Sequence, residues 1–223
     1  MLKVGIIGVG VMGGGHARFI KEHIPDATIV ALSDLATEKM EKLATELDTV
    51  IFKTADPAEL MGHPEVEAII IASPDPLHKA HLKLAMAAGK PTLCEKPIAT
   101  TIEDARSIAT EIKAYEDSKG KTLIHFGFMR RFDPAYIQVR NLVESGKYGL
   151  PLFIRPVTRN VSSTGATTPG LYTNIAIHDF DIFRWMFNSD WVSVESHYPK
   201  QSTMSQTGLR SEEHTSELQS RET

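Results

Sequence analysis

Three glycines and one aspartate raise the first chemical possibility. The stretch "GIIGVGVMGGGHA" places Gly8-x-Gly10-x-x-Gly13 directly after an apolar run and ahead of a helical stretch. In that context Gly8 permits a tight turn, and Gly10 lets the backbone approach a pyrophosphate. Gly13 allows close helix–sheet packing, and the helix N-terminus faces the anion. Val11 and Met12 lie inside the motif and are counted with the cofactor loop. About twenty residues on, "ALSDLA" ends a second apolar run in Asp34, where a carboxylate accepts from ribose hydroxyls and repels a 2′-phosphate. The pattern points to a dinucleotide, and to NAD over NADP. A glycine-rich first loop with an acidic second strand also occurs in methyltransferases, and Asp34 would equally serve as a helix cap.

A second candidate lies in "TLCEKPIAT", where an apolar run ends in Glu95, Lys96 and Pro97. Lysine is rarely buried without a partner. Lys96 is either a solvated residue in a strand-to-helix turn or a chemical group at the carboxyl edge of a parallel sheet, where such folds place their ligands. A third candidate is "IIIASPDPLH". Its strand runs out at Ser73, and Pro74 and Pro76 force an extended turn over the sheet edge. That turn would line the ribose–nicotinamide side of a cofactor, and His78 would touch ligand or pack the helix that follows.

The elements that must position these residues alternate. "KVGIIGV", "ATIVALSD", "TVIFK", "VEAIIIAS", "PTLCEK" and "KTLIHFGF" read as strands, the first of them a continuous apolar run suited to burial on both faces. Helical stretches separate them. "ATEKMEKLATEL" carries Met40, Leu43, Ala44 and Leu47 at helical spacing. "DPAELMGH" opens with Asp56 and Pro57, and two longer helices end near Gly89 and Gly120. Strand–helix alternation implies right-handed crossovers and a doubly wound parallel α/β sheet, the Rossmann arrangement, over residues 1–127.

From residue 128 the rhythm changes. "DPAYIQVRNLVESG" predicts a helix capped by Asp133, "PLFIRPVTRN" a strand, "VSSTGATTPG" a polar loop, "IAIHDFDIFRWMF" a helix and "DWVSVESHY" a half-buried strand. Residues 128–209 therefore read as a partial α/β substrate or oligomerisation domain, too short of strands to close a second core. "RSEEHTSELQS", from Arg210, is the direct translation of a common sequencing-library adapter, so 210–223 is expected to be an artefactual tail on a C-terminally truncated sequence.

Bulk properties narrow the class. With 223 residues, 24 Lys and Arg against 28 Asp and Glu, and a formal net charge of −4, nothing favours nucleic acid or an anionic membrane. The single cysteine, Cys94, excludes an intramolecular disulfide and fits a reducing, cytoplasmic setting. The apolar N-terminus is short and broken by glycine, without the basic segment or cleavage site of a signal peptide. No run is long enough to span a bilayer.

Taken in order, "GVGVMGGGHA", "IASPDPLHKAHLKLAMAAGK", "CEKPIAT", "GFMRRFDPAY" and "IAIHDFDIFRW" resemble the glucose–fructose oxidoreductase/inositol 2-dehydrogenase (Gfo/Idh/MocA) family. The segment "GFMRRFDPAY" is closest to the inositol dehydrogenase branch. The resemblance implies a nucleotide-binding domain and then an α/β domain with an open, largely antiparallel sheet, often buried in a homo-oligomer interface. It implies NAD(P)-dependent oxidation of a hydroxyl in a small-molecule sugar or polyol. Some relatives cleave glycosides with no net redox, and an inactive dinucleotide-binding protein is the remaining alternative.

The resemblance also assigns roles. Lys96 matches the lysine that binds the reacting hydroxyl, Glu95 would orient it, and Pro97 would follow a cis bond. The family's aspartate, with a histidine four residues later, corresponds to Asn174 and His178. A histidine suits removal of the hydroxyl proton, while the asparagine departs from the pattern. Arg130 and Arg131 would reach substrate or cofactor, or pair with Asp133; Asp179 and Asp181 would cap and pack their helix.

Overall fold

Strands of three to seven residues, the first five each leading into a helix, fold as their pattern dictates. The computed structural model describes residues 1–158 and 171–195. The chain divides into two compact units, Met1–Gly127 and Phe128–Thr223. In the first, the strands are β1 (Leu2–Ile7), β2 (Ala27–Ser33), β3 (Phe52–Thr54), β4 (Ala68–Ile71), β5 (Thr92–Cys94) and β6 (Ile124–Phe126). The helices between them are α1 (Val11–His23), α2 (Thr37–Leu47), α3 (Pro57–Gly62), α4 (His78–Ala88) and α5 (Ile102–Lys119). The six strands lie in the order β3-β2-β1-β4-β5-β6, every neighbouring pair parallel. The chain therefore winds outward from β1 in one direction, returns to β4, and winds outward in the other. The switch point between β1 and β4 is where such sheets open a crevice.

Successive residues of a strand face opposite sides, so β1 feeds two cores. Ile6 packs with Ala17 of α1 and with Met40, Leu43 and Leu47 of α2. Ile7 packs on the other side with Leu60 of α3, Leu82 of α4 and Ile108 of α5. Each such fully buried Leu or Ile contributes about 1.5–3 kcal/mol of transfer free energy. Helix ends are set by the punctuation in the sequence. Asp56 accepts a hydrogen bond from the Ala58 N–H (2.8 Å) with Pro57 in the first turn, and Thr101 accepts from the Asp104 N–H (3.1 Å). Gly89 and Gly120 close α4 and α5 in the left-handed region, at φ 69° and 65°, where a β-carbon is penalised.

The second unit holds α6 (Pro134–Glu144), a π-helical turn (Leu171–Ala176) and α7 (Ile177–Phe187). Asp133 caps α6 through the Ala135 N–H (2.8 Å), which settles its role in favour of capping. Ile182, Phe183 and Met186 form a small core, against which Tyr136, Ile154, Trp185 and Trp191 pack. The Arg140 guanidinium lies over the Trp185 ring, 4.1 Å from its centroid.

The strands expected at "PLFIRPVTRN" and "DWVSVESHY" do not form among the described residues: 151–158 and 190–195 carry no strand. An alternating sequence becomes a strand only when a neighbour takes its backbone N–H and C=O groups. The described part of this unit offers no such edge, and Leu150, Leu152, Phe153 and Val192 stay exposed. The polar loop "VSSTGATTPG" and the tail from Arg210 lie outside the described residues.

Candidate cofactor and catalytic site

The glycine loop is built for close approach. Gly8 sits at φ +88°, and a β-carbon there would stand 2.5 Å from the Ala72 carbonyl oxygen. At Gly13 an added β-carbon would come within 1.8 Å of the Gly8 carbonyl oxygen, so only glycine lets α1 pack this tightly on the turn. Gly10 is the opposite case: no atom lies within 4 Å of where its β-carbon would be. That space is open to a ligand. Val11 and Met12 follow it as exposed residues of the first turn of α1. No side chain caps this helix and its first turn holds no acid; α2, α4 and α7 are also uncapped, but only α1 opens on the glycine loop. Its leading N–H groups are the uncapped donors that an anion satisfies.

Asp34, half-buried at the end of β2, is tied to this loop. Its carboxylate accepts from the Val9 N–H through Oδ2 and from the Ala36 N–H through Oδ1, both at 2.7 Å. Asp34 therefore does not cap α2, whose N-cap is Ala36; it ties the glycine loop to the turn after β2. Each oxygen spends one lone pair on the backbone and keeps another. The residues present fit a dinucleotide: an open glycine, an uncapped helix start, and a fixed carboxylate one strand away.

On the other side of the switch point β5 ends in Cys94, and the Glu95 N–H donates to the Ile71 carbonyl (2.9 Å), carrying the ladder one residue further. Lys96 follows, half-buried, and its bond to Pro97 is cis. Glu95 is buried, and its Oε1 meets His16 Nε2 at 2.8 Å. Burial alone would raise its carboxyl. The hydrogen bond and charge of His16, then the Lys96 backbone N–H, outweigh that and hold it below the ordinary carboxylate range. The carboxylate also lies over Gly127, where a β-carbon would come within 2.8 Å of Oε2. Glu95 was expected to orient Lys96; its carboxylate meets the Lys96 backbone N–H, and its main partner is a histidine of α1 that sequence reasoning missed. The available signal was a titratable ring in "GGGHA", three residues past Gly13 and on the same helix face.

Two further expectations are corrected. Ser73 is buried and turned inward: its hydroxyl meets His81 Nδ1 at 2.9 Å, and its carbonyl lies 2.8 Å from His78 Nε2. His78 is fully buried, with Nδ1 2.7 Å from the Pro97 carbonyl. Both ring nitrogens are committed to backbone carbonyls, so His78 clamps the β4 loop to the Glu-Lys-Pro loop and keeps no nitrogen for a cofactor. Burial first, and then the neighbouring His78, hold His81 below the ordinary histidine range. Pro74 stays exposed on the rim. Burial, with Glu95 adding to it, pushes the Cys94 thiol well above its ordinary range, which leaves it inert.

In the second unit Asn174 is exposed in the π-helical turn, and His178 is half-buried in the first turn of α7. Arg131 does not stand ready for substrate. It forms a forked pair with Asp181, one arm at 2.8 Å from Nε to Oδ2. Arg130 pairs with Asp179. Asp179 and Asp181 thus anchor the arginine segment Met129–Phe132 on α7. Among the described residues no group of His, Cys, Asp and Glu is placed to hold a metal ion, and no helix is long and apolar enough to cross a membrane.

The comparisons with known proteins agree with this geometry. The profile of an oxidoreductase family with an NAD-binding Rossmann fold (GFO_IDH_MocA) matches residues 2–124. The chain is 38% identical over 204 residues to inositol 2-dehydrogenase 1 of Saccharopolyspora erythraea, a match covering 91% of this chain and 59% of that protein. It is 35% identical over 212 residues to inositol 2-dehydrogenase of Agrobacterium fabrum, covering 94% and 61%. Among solved structures, myo-inositol dehydrogenase from Lactobacillus casei, in complex with NAD(H) and myo-inositol, superposes with a TM-score of 0.79 at 30% identity. That match covers 91% of this chain and 59% of the other. The chain spans about 60% of the length of the curated relatives it matches. Since the profile extends over more than half of the chain, from the first strand to the start of the last strand of the parallel sheet, this protein belongs to the Gfo/Idh/MocA oxidoreductase family with its NAD-binding Rossmann fold.

Proposed function

We propose that this chain, at the length of its relatives, is an NAD-dependent oxidoreductase that oxidises a hydroxyl of an inositol-like polyol or sugar by hydride transfer. The observation that carries the reading is the pairing, on one sheet edge, of an open glycine loop tied to Asp34 with a lysine fixed at the end of β5. The relatives named inositol 2-dehydrogenases supply the substrate class. Bound NAD would supply the hydride acceptor. The loop from Gly8 to Gly13 holds the pyrophosphate, and Asp34 the adenosine ribose. Lys96 holds the reacting hydroxyl and, partly out of water, shares its proton. His178 is the residue we assign to take that proton, with Asn174 where the family carries an aspartate.

With this reading go a cytoplasmic setting, a homo-oligomer and a small-molecule partner rather than nucleic acid or membrane. The domain reading also goes with it: an NAD-binding domain over 1–127, a partial substrate or oligomerisation domain over 128–209 with a largely antiparallel sheet, and an adapter-derived tail at 210–223.

The direct test is growth of the NADH absorbance band on incubation with NAD and inositols; sugar release without NADH would place the protein with glycoside-cleaving relatives instead. Cofactor choice is tested by titration. NAD should bind about tenfold or more tighter than NADP, because Asp34 sets a carboxylate against a 2′-phosphate and no arginine follows it directly. Asp34→Ala narrows that gap; equal affinities in the native chain would refute the assignment. The proton relay has its own test. An asparagine carries no charge to stabilise an imidazolium and presents a donor on one side. Asn174→Asp should therefore raise turnover in the full-length protein and His178→Ala abolish it. A fall in rate with Asn174→Asp would make the asparagine a substrate ligand and remove His178 from the relay.

A further inference from the structure

Beside its contact with the Lys96 backbone, Glu95 brings a fixed negative charge to the sheet edge. It is buried, yet His16 from α1 and the N–H and charge of Lys96 hold it ionised, and Gly127 beyond β6, lacking a β-carbon, leaves the room it occupies. Ionised carboxylates are rarely kept out of water without a use, since the desolvation must be offset by every partner supplied. Its place in the fold suggests the use. Asp34 marks the β1–β3 half of the sheet edge as the adenosine side, so the nicotinamide half of a dinucleotide falls toward β4–β6, where Glu95 ends β5. The nicotinamide ring changes charge in the reaction: cationic when oxidised, neutral when reduced. A buried charge that does not move distinguishes those two states through space, without touching the ring.

We propose that Glu95, held by His16, is a specificity determinant for cofactor oxidation state, favouring NAD⁺ over NADH. The proposal rests on the NAD reading above and goes beyond it by naming the group that sets the ratio of the two affinities. Lys96 shares the same edge, but its charge is constant across the variants below, so their ratios isolate Glu95.

The test is titration of the full chain with NAD⁺ and separately with NADH. Glu95→Gln keeps the shape and an acceptor for His16 and removes the charge. It should weaken NAD⁺ about tenfold while leaving NADH within about twofold. His16→Gln keeps a donor and carries no charge, so the preference should hold or strengthen. Parallel weakening of both cofactors in Glu95→Gln would show a structural role and overturn the proposal. Glu95→Met, which removes the same charge without leaving a buried polar group, decides the matter if Glu95→Gln does not fold: an unchanged ratio there would overturn the proposal too. A native chain that binds neither cofactor overturns the NAD reading itself, a different result from binding with an unmoved ratio.

Discussion

Lys96→Ala is expected to reduce polyol oxidation by the full-length protein about a thousandfold while leaving the melting temperature and NAD affinity near their native values. The asymmetry follows from how Lys96 is held. Its backbone is fixed from both sides, by the Glu95 N–H on Ile71 and by its own N–H on the Glu95 carboxylate. The neighbouring Pro97 carbonyl is fixed by His78. None of these contacts uses the lysine side chain, so its removal leaves the sheet edge standing. What disappears is the ammonium that positions the hydroxyl and shares its proton. Lys96→Arg separates the two duties. Arginine keeps the charge but does not give up a proton near neutral pH, so it should restore substrate binding and not the rate. Steady-state kinetics beside thermal melts decide the point: an unfolded alanine variant, or one with native turnover, would return Lys96 to an ordinary solvated turn.

The second large effect comes from one added methyl group placed at two glycines. Gly13→Ala forces a β-carbon to 1.8 Å from the Gly8 carbonyl oxygen, and that oxygen belongs to backbone that follows β1 and is tied to the end of β2 by the Gly8 N–H on the Ser33 carbonyl. Nothing flexible is available to give way. The variant should lose about 3 kcal/mol of stability, at the upper end of overpacking costs, and NAD affinity should fall at least about a hundredfold as the turn opens. Gly10→Ala meets no protein atom within 4 Å. It should melt like the native chain and lose about tenfold in NAD affinity, because the methyl stands where the pyrophosphate approaches. Melting curves and NAD titrations on both variants give two pairs of values. If Gly10→Ala binds NAD as the native chain does, the pyrophosphate does not lie on this loop.

These positions also show what was legible in the sequence. The parallel sheet was, because strands buried on both faces must be written as unbroken apolar runs, as "AIIIA" is from Ala68 to Ala72. So were the helix ends, because Asp56, Thr101, Gly89 and Gly120 each meet a local backbone demand that no distant residue can alter. The partners of buried polar groups were not. His16 and Glu95 are 79 residues apart, and nothing in either neighbourhood names the other. His78 looked like a ligand candidate because a histidine near a sheet edge is chemically rich; only the burial of both nitrogens on carbonyls assigns it to the loops. Arg131 failed similarly: its forked pair with Asp181 spans 50 residues. The absent strands near residues 151 and 190 mark a different limit. Alternation records a preference, and a strand also needs an edge to pair with.

The strand order has a metric consequence. Asp34 follows β2 and Glu95 follows β5, and β1 and β4 lie between. Their backbones are thus three inter-strand steps apart, about 14 Å at the usual spacing. Main-chain hydrogen bonding sets that pitch, and no side-chain substitution lengthens or shortens it. The sheet therefore acts as a ruler for its ligand: a molecule must reach across two intervening strands to engage both ends, and a mononucleotide meets only one. Point mutations can change which groups are recognised at either mark, but the gauge itself shifts only if a strand is gained or lost, in increments of about 5 Å.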